Sequence, residues 1–440
     1  MTPEELKQMI EMSGTINMEI FYWWCTAVMV LIHAGFLAYE MGASRLKNTL
    51  ASGVKNILAF AFVIPTFFFF GWYIYLGFPD GFSLRAEDAA AGIPWGESMG
   101  PNLTDNATGV FWAAFALFAA TTASIMSGAV IERIRLSAFL ILAVLLGSAV
   151  WILGGSWGWH PEGWLTKQFG YHDTGAAGVV HMIAGFFTLG VLINLGPRIG
   201  RFAADGTTLP IAGHSTPMSL IGLMLIIVGF FGFLGGCIIY VTGDQWVTIY
   251  NTPATLSAYA FNTLMGFAGG IIGAYLITRD PFWMMSGGLA GIISAASGLD
   301  LYYPPLAFLI GFLGGCAIAY ADRLLQKFGI DDAVGAFSVH GVGGLIGVVA
   351  CGVFASGYPN IDAPAISLGG QLLGALVMAT LGFVPGFGVS YALKAMGLLR
   401  VPREAEEAGL DLTEIPSQAY PESSSHPSMP NGAAMPPIQA

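Results

Sequence analysis

The chain has 440 residues, of which 55% are hydrophobic and only 10% charged, with a mean hydropathy of +0.69. A soluble globular protein carries roughly 25% charged residues, so that class is excluded, and no basic tract points to nucleic acid. The net charge of -11 says little about fold.

In chain order, an acidic N-terminal segment (1–18) lacks the basic region of a cleaved signal peptide. Eleven apolar stretches of spanning length follow: about 19–41, 54–78, 109–131, 137–156, 174–195, 216–241, 253–277, 281–299, 303–321, 334–354 and 367–395. Those at 281–299 and 334–354 are short and Gly-rich. The tail from 396 to 440 splits into a charged stretch that can pack on a membrane face and a Pro/Ser-rich end expected to be disordered after about 420. The four cysteines (Cys25, Cys237, Cys316, Cys351) all fall in apolar stretches and form no CxxC pair. They read as small hydrophobes rather than a disulfide framework or a metal site.

Lys and Arg orient the chain. With the N-terminus outside, the inside segments hold Arg45, Lys47, Lys55, Arg133, Arg135, Arg198, Arg201, Arg279, Arg323, Lys327, Lys394, Arg400 and Arg403, against Lys7, Arg85 and Lys167 outside. Thirteen against three gives N-outside, C-inside by the positive-inside rule, and an odd span count. The outside loops carry Asp80, Glu87, Asp88, Glu97, Asp105, Glu162, Asp173, Asp244, Asp300 and Asp362. They either raise the local cation concentration or simply keep that face soluble. Two sequons, Asn102-Leu-Thr104 and Asn106-Ala-Thr108, fall outside as well and are short enough to occur by chance.

Two histidines carry the strongest signal. Asp173-Thr-Gly-Ala-Ala-Gly-Val-Val-His181 and Asp332-Ala-Val-Gly-Ala-Phe-Ser-Val-His340 each place a histidine eight residues after an aspartate. If the aspartate marks a water-facing helix end, ~1.5 Å per residue carries each imidazole ~12 Å inward, close to the midplane of a ~30 Å hydrocarbon layer. Ionisable groups at that depth usually line a pathway. The first ten spans divide into two fives, with His181 in the fifth span and His340 in the tenth, entering from opposite faces. That pattern predicts two inverted five-helix repeats followed by a long eleventh helix, with the site at the repeat interface. Gly-Phe-Leu-Gly-Gly-Cys at 232–237 and 311–316 breaks this pairing and reads as chance within small-residue packing seams.

Neutral imidazole offers one donor and one acceptor, so two adjacent rings can share a hydrogen bond and still present nitrogens to a small polar molecule. The competing reading is that each ring satisfies a backbone group of its own helix. Trp157, Trp159 and Trp164 are interfacial belt residues by composition, or else a cation–π cradle. His33, without a matching partner, reads as structural.

Several stretches together resemble the ammonium transporter/methylamine permease/Rhesus family, in its bacterial ammonium transporter branch. They are Ala34-Gly-Phe-Leu-Ala-Tyr-Glu-Met-Gly42 with Arg45-Leu-Lys-Asn48, Phe118-Ala-Ala-Thr-Thr-Ala-Ser-Ile-Met-Ser-Gly128 with Glu132-Arg133, and His172-Asp173 through His181. Gly196-Pro-Arg-Ile-Gly-Arg-Phe202, Asp331 through Gly344, and Arg400-Val with Gly409-Leu-Asp411 complete the set. The resemblance implies that His181 and His340 are the twin histidines of a conduction path and that Phe118 and Phe233 form a stacked phenyl gate above them. It implies that Trp159 and the residue at position 237 form the outer recruitment site, and that Asp173 and Asp332 support the site rather than touch the ion. It further implies a homotrimer, one pore per subunit, no cofactor, and a cytoplasmic face that a PII-type signalling protein can plug.

The chain departs from the family pattern at several positions. Span six reads Phe231-Gly-Phe-Leu-Gly-Gly-Cys237 where the family has Phe-Gly-Phe-Asn-x-Gly-Ser, so Cys237 replaces a hydroxyl acceptor with a weaker thiol and Leu234 replaces asparagine. Ala114 stands in place of an outer phenylalanine, next to Phe115, and Thr-Gly-Ala follows Asp173 in place of Phe-Ala-Gly. The tail reads Ile415-Pro-Ser-Gln-Ala-Tyr420 in place of His-x-Glu-x-Ala-Tyr, which bears on regulation through the tail. The expected molecule is a multi-pass ammonium/ammonia transporter or channel of a bacterial plasma membrane. The alternative is a sensor of the same fold with weak conduction. A membrane enzyme is the least expected, since the sequence offers no metal cluster and no activated nucleophile.

Overall fold

The computed structural model describes residues 1–91, 106–241, 245–360 and 362–421. The sequon at 102–104, Glu97, Asp105, Asp244 and the expected disorder of the last residues lie outside the described residues. Among the described residues, ten helices are long and apolar enough to cross a membrane, and Pro281–Ala296 is a shorter apolar eleventh. The protein is all-α and polytopic. The spans run Pro3–Ala43, Thr49–Gly77, Asn106–Ala129, Leu136–Gly158, Ala177–Leu195, Thr216–Gly235, Leu256–Thr278, Pro281–Ala296, Pro304–Lys327, Phe337–Phe354 and Leu368–Ala395.

Helix starts follow local chemistry. Ser215, Thr255, Asp280 and Ser367 each accept a hydrogen bond from a backbone N–H in the first turn, which satisfies one orphan donor. Several boundaries differ from the sequence expectation, such as the second span's start at Thr49 and the ninth's end at Lys327, and two of the differences have a clear local cause. The first span is continuous from Pro3, because Thr2 and Glu5 form a reciprocal capping box there, so residues 3–18 are helix rather than a separate extension. The sixth ends at Gly235; the β-branched run after it pairs as a hairpin, Ile238–Val241 with Gln245–Thr248, in the register Ile238↔Thr248.

The two sets of five helices pack in corresponding ways. The first span lies against the sixth, the third crosses the fifth as the eighth crosses the tenth, and the fifth meets the tenth at the centre. The eleventh runs along the fifth. Small residues allow the close crossings at both copies of the Gly-Phe-Leu-Gly-Gly-Cys stretch, where Gly232 meets the Cys25 backbone and Gly311 meets Gly266.

The face that carries the arginines is tied together by ion pairs. Arg198 and Arg201 reach Asp331 at 2.8 and 3.3 Å, and Arg45 reaches Glu132 at 2.6 Å. The charged tail docks there, with Arg400 donating to the carbonyls of Leu195 and Pro197, and Asp411 accepting from the N–H groups of Leu50 and Ala51.

Candidate functional site

The histidines sit where two helices start with an unusual geometry. His181 lies in a π-helical turn, Ala177–Met182, and His340 in another, Phe337–Val342. Wide turns of this kind recur at functional sites because they offset a side chain from the regular helical path. Each turn is preceded by an aspartate that caps it. Asp173 accepts from the N–H groups of Gly178 and Val179, both at 2.8 Å, and Asp332 accepts from Ala336 and Phe337 at 2.9 and 2.7 Å. The aspartates therefore do not face water: Asp173 is 0% exposed and Asp332 6%. The matched spacing instead reflects one capping device used twice. Residues 174–176 and 333–335 are non-helical, so the ~12 Å of helical rise expected between aspartate and histidine does not apply.

Glycine four residues beyond each histidine sets the approach of the two helices. A Cβ on Gly185 would fall 2.3 Å from the Gly341 nitrogen, and one on Gly344 would fall 2.4 Å from the Ala177 oxygen. With backbones in contact, the imidazoles meet: His181 Nδ1 and His340 Nδ1 are 3.0 Å apart, with ring centroids 5.1 Å apart and planes 28° from parallel. One Nδ1 must donate and the other accept. The accepting ring then holds its proton on Nε2, and the donating ring leaves its Nε2 as a lone pair. The pair thus presents one donor and one acceptor to whatever passes. His181 Nε2 is buried and has no protein partner.

Above this pair the aromatic residues form a continuous column. His181 stacks on Phe230 at 5.8 Å and 11°, and contacts Phe233 at 5.7 Å. Phe118 and Phe233 meet at 4.2 Å, edge-on at 69° rather than stacked as expected. Phe118 in turn touches Trp159 at 5.6 Å, with Phe115 beside both. The column is closed, with Phe118, Phe233 and Trp159 all 0% exposed.

The expected outer recruitment site therefore differs from an open cradle. Trp159 is buried against Phe118 rather than facing lipid or open solvent. Its indole Nε1 donates to the Asp173 carbonyl at 2.8 Å, which locks the ring over Phe118. Cys237 is buried one turn after Phe233, and its thiol leans on the Phe233 carbonyl at 3.5 Å. Trp157 is held separately, its Nε1 donating to Gly81 at 3.2 Å.

Asp173 is the junction of this region. Its carboxylate also accepts from Ser297 Oγ at 2.6 Å, and its N–H donates to Tyr250 Oη at 3.0 Å, while that hydroxyl donates to Gly158 at 2.7 Å. Burial pushes its carboxyl above the usual value, and the Ser297, Val179 and Gly178 hydrogen bonds partly offset that. Nearby, His172 Nε2 sits 3.1 Å from the Asp300 carboxylate. Burial lowers the His172 pKa, but Asp300, Asn360 and Asp173 together outweigh it and the net direction is upward. Asp173 and Asp300 are thus spent inside the protein and do not belong to an acidic outer face. Tyr250 and Ser297, which bond to Asp173, and Phe230 and Trp151, whose rings lie 5.8 Å from His181 and 6.1 Å from Phe118, escaped sequence reasoning, because only the fold brings them to the site. Among the described residues no group of three metal-ligating side chains occurs.

Known proteins resemble this chain over nearly its whole length. The profile of the Ammonium Transporter Family matches residues 20–420. The chain is 30% identical to ammonium transporter Amt1 of Methanocaldococcus jannaschii, over 94% of this chain and 100% of that protein. It is 32% identical to Amt2 of the same organism, over 92% and 91%. Among solved structures, one titled "Sensor Amt Protein" superposes with a TM-score of 0.79 at 26% identity, covering 92% of this chain and 99% of the other. Saccharomyces cerevisiae Mep2 gives 0.71 at 23%, covering 88% of each, a likeness of fold.

Proposed function

Taking as premise that the chain belongs to the Ammonium Transporter Family, we propose that it carries ammonium/ammonia across a membrane through the bore centred on His181 and His340. The observation that carries this reading is the 3.0 Å contact between the two Nδ1 atoms at the meeting point of opposed helices. Ammonium collects beside Trp159 and Cys237. It passes when the Phe118 and Phe233 rings, in contact at 4.2 Å, swing apart. Burying an intact cation in an apolar bore costs many kcal/mol, whereas neutral ammonia crosses with one donor and one acceptor already matched to it. The histidine Nε2 atoms supply that acceptor and donor, and Asp173 and Asp332 hold the two turns in place.

The test is flux in proteoliposomes. Replacing both histidines by alanine removes the polar groups at the midplane and should abolish ammonium-specific flux, while a single replacement leaves conduction of altered selectivity. Normal ammonium flux with potassium still excluded in the double variant would refute the pore assignment.

A second reading, a sensor of the same fold with weak conduction, is favoured by one specific similarity, the superposition on a structure titled as a sensor. The substitution of Cys237 and Leu234 for the usual serine and asparagine points the same way, because it weakens capture. Tight ammonium binding with negligible flux would select it. We further propose a homotrimer, N-outside and C-inside orientation in a bacterial plasma membrane, and a PII-type partner on the arginine-bearing face. Detergent mass measurement and pull-down with a PII-type protein test the assembly and the partner.

A further inference from the structure

One buried charged pair, at the ends of the first two spans nearest the arginine-bearing face, takes no part in the bore. Glu40, on the first span, is 0% exposed, and Lys55, on the second, is 4% exposed. Lys55 Nζ is 3.7 Å from Glu40 Oε2 and donates to the Ser127 carbonyl at 2.6 Å. Asn56 Nδ2 donates to Glu40 at 2.8 Å, and Ser127 Oγ donates to its other oxygen. A buried ion pair is expensive and gives weak net stabilisation at best. Its cost calls for a use other than stability.

Two small cavities supply one. The first, with room for about one water, is lined by both His340 and Glu40, together with Ser286. The second, of similar size, is bordered by Lys55, Glu132 and Glu414 beneath the docked tail. The order is therefore His340, cavity, Glu40, Lys55, cavity, and the face that carries the arginines. We propose that Glu40 and Lys55 form a proton lane that takes the proton released in the bore to the cytosolic face, apart from the ammonia itself. The proposal deepens the transport reading and rests on it.

The protons balance. Ammonium gives one proton to the histidine pair and leaves as ammonia. The imidazolium of His340 passes that proton through a water to the Glu40 carboxylate. Lys55 releases a proton from its ammonium into the second cavity, and its neutral amine then takes the proton from the Glu40 carboxylic acid. The pair returns to carboxylate and ammonium, one proton has entered and one has left, and the sum is one ammonium moved. Transfer from Glu40 requires the lysine stem to close a 3.7 Å gap.

The experiment reads current and interior alkalinisation on the same proteoliposomes after an ammonium jump. Ammonia arriving alone alkalinises the lumen without current, and ammonia arriving with its proton carries current without alkalinisation. Two variants are compared with the unaltered protein at equal reconstituted amount: Glu40→Gln, which cannot hold the negative charge, and Lys55→Arg, which keeps the positive charge but cannot release a proton. The lane predicts that both lower the charge moved per ammonia at least fivefold, with current exchanged for alkalinisation. A purely structural pair predicts that Lys55→Arg keeps the unaltered ratio, and that result overturns the proposal. If Glu40→Gln does not reach the membrane, Lys55→Arg decides alone. Transport by the unaltered protein without current also overturns the lane while the transport reading stands. Absence of both signals in the unaltered protein defeats the two together.

Discussion

At the residue scale, the position of each ring in the column decides what its replacement should do. Cys237 faces the Phe233 carbonyl with a thiol, a weak acceptor toward ammonium. Cys237→Ser should tighten capture by the worth of one neutral hydrogen bond, about 0.5–1.5 kcal/mol, or roughly two- to tenfold in half-saturation. Titration of flux against ammonium checks this, and an unchanged half-saturation would show that position 237 does not face the site. Trp159 contributes in two ways, because its ring packs on Phe118 and its Nε1 holds the Asp173 carbonyl. Trp159→Phe keeps most of the ring and removes the donor. It should cost about 1–3 kcal/mol of stability from the orphaned buried carbonyl, together with weaker recruitment at low ammonium. Trp157→Phe, which removes a bond to the Gly81 carbonyl away from the column, should leave the half-saturation alone. Equal losses of affinity in the two would defeat the assignment of Trp159.

At the scale of elements, the two π turns and their aspartate caps are the units that place the histidines. Asp332→Ala should cost about 0.5–2 kcal/mol, the usual worth of a capping side chain, and should reduce flux by letting the 337–342 turn relax toward regular helix. Asp332→Asn keeps an acceptor and should retain most of both. Flux in the two variants at matched thermal stability separates a lost cap from general unfolding. The outer loop after the fourth span carries its own pH dependence. Burial, and after it Arg85, push His160 down to about 4. The folded protein therefore binds fewer protons than the unfolded chain between that value and the ordinary ~6.5, so stability should fall as pH drops through this window. His160→Asn should flatten that part of the melting-temperature profile; a slope that persists would place its origin elsewhere.

At the scale of the whole molecule, the face that carries the arginines links loops, helix ends and tail. The second span has no side-chain cap of its own at Thr49, and Asp411, 360 residues from Ala51 in sequence, supplies it. Asp411→Ala should cost about 1 kcal/mol and loosen the tail, measurable as faster proteolysis after residue 395. Burial alone would raise the Asp331 carboxyl, but Arg133 and Arg198 hold it well below the usual carboxylate range. Its contribution is fully present above the unfolded value of ~3.9 and lost as pH falls below it. Melting in detergent as pH falls below ~3.9 should show that loss, and Asp331→Asn should remove it. The tail, the loop at 196–202 and the 331–332 loop should all become protease-sensitive together in that variant, because Asp331 ties Arg133, Arg198 and Arg201 at once.

The sequence by itself determined the class, the number of spans and the histidine pair. Spanning length and the scarcity of charge are local properties of a chain that must satisfy its backbone within hydrocarbon. His181 and His340 were legible because a duplicated local device, a capping aspartate with a glycine four residues beyond the histidine, leaves the same pattern twice. Only the tertiary structure decided how that device is used. The aspartates are buried caps rather than water-facing helix ends, with two N–H hydrogen bonds each offsetting part of the cost of leaving water. The first span starts at Pro3 because Thr2 and Glu5 cap it, a signal too short for hydropathy to register. The sixth stops at Gly235 because a hairpin claims the apolar run beyond it. Ser297, Tyr250, Phe230, and the link from His340 through Glu40 to Lys55 join residues from separate spans. No periodicity records such neighbours, because packing between helices rather than order along the chain brings them together.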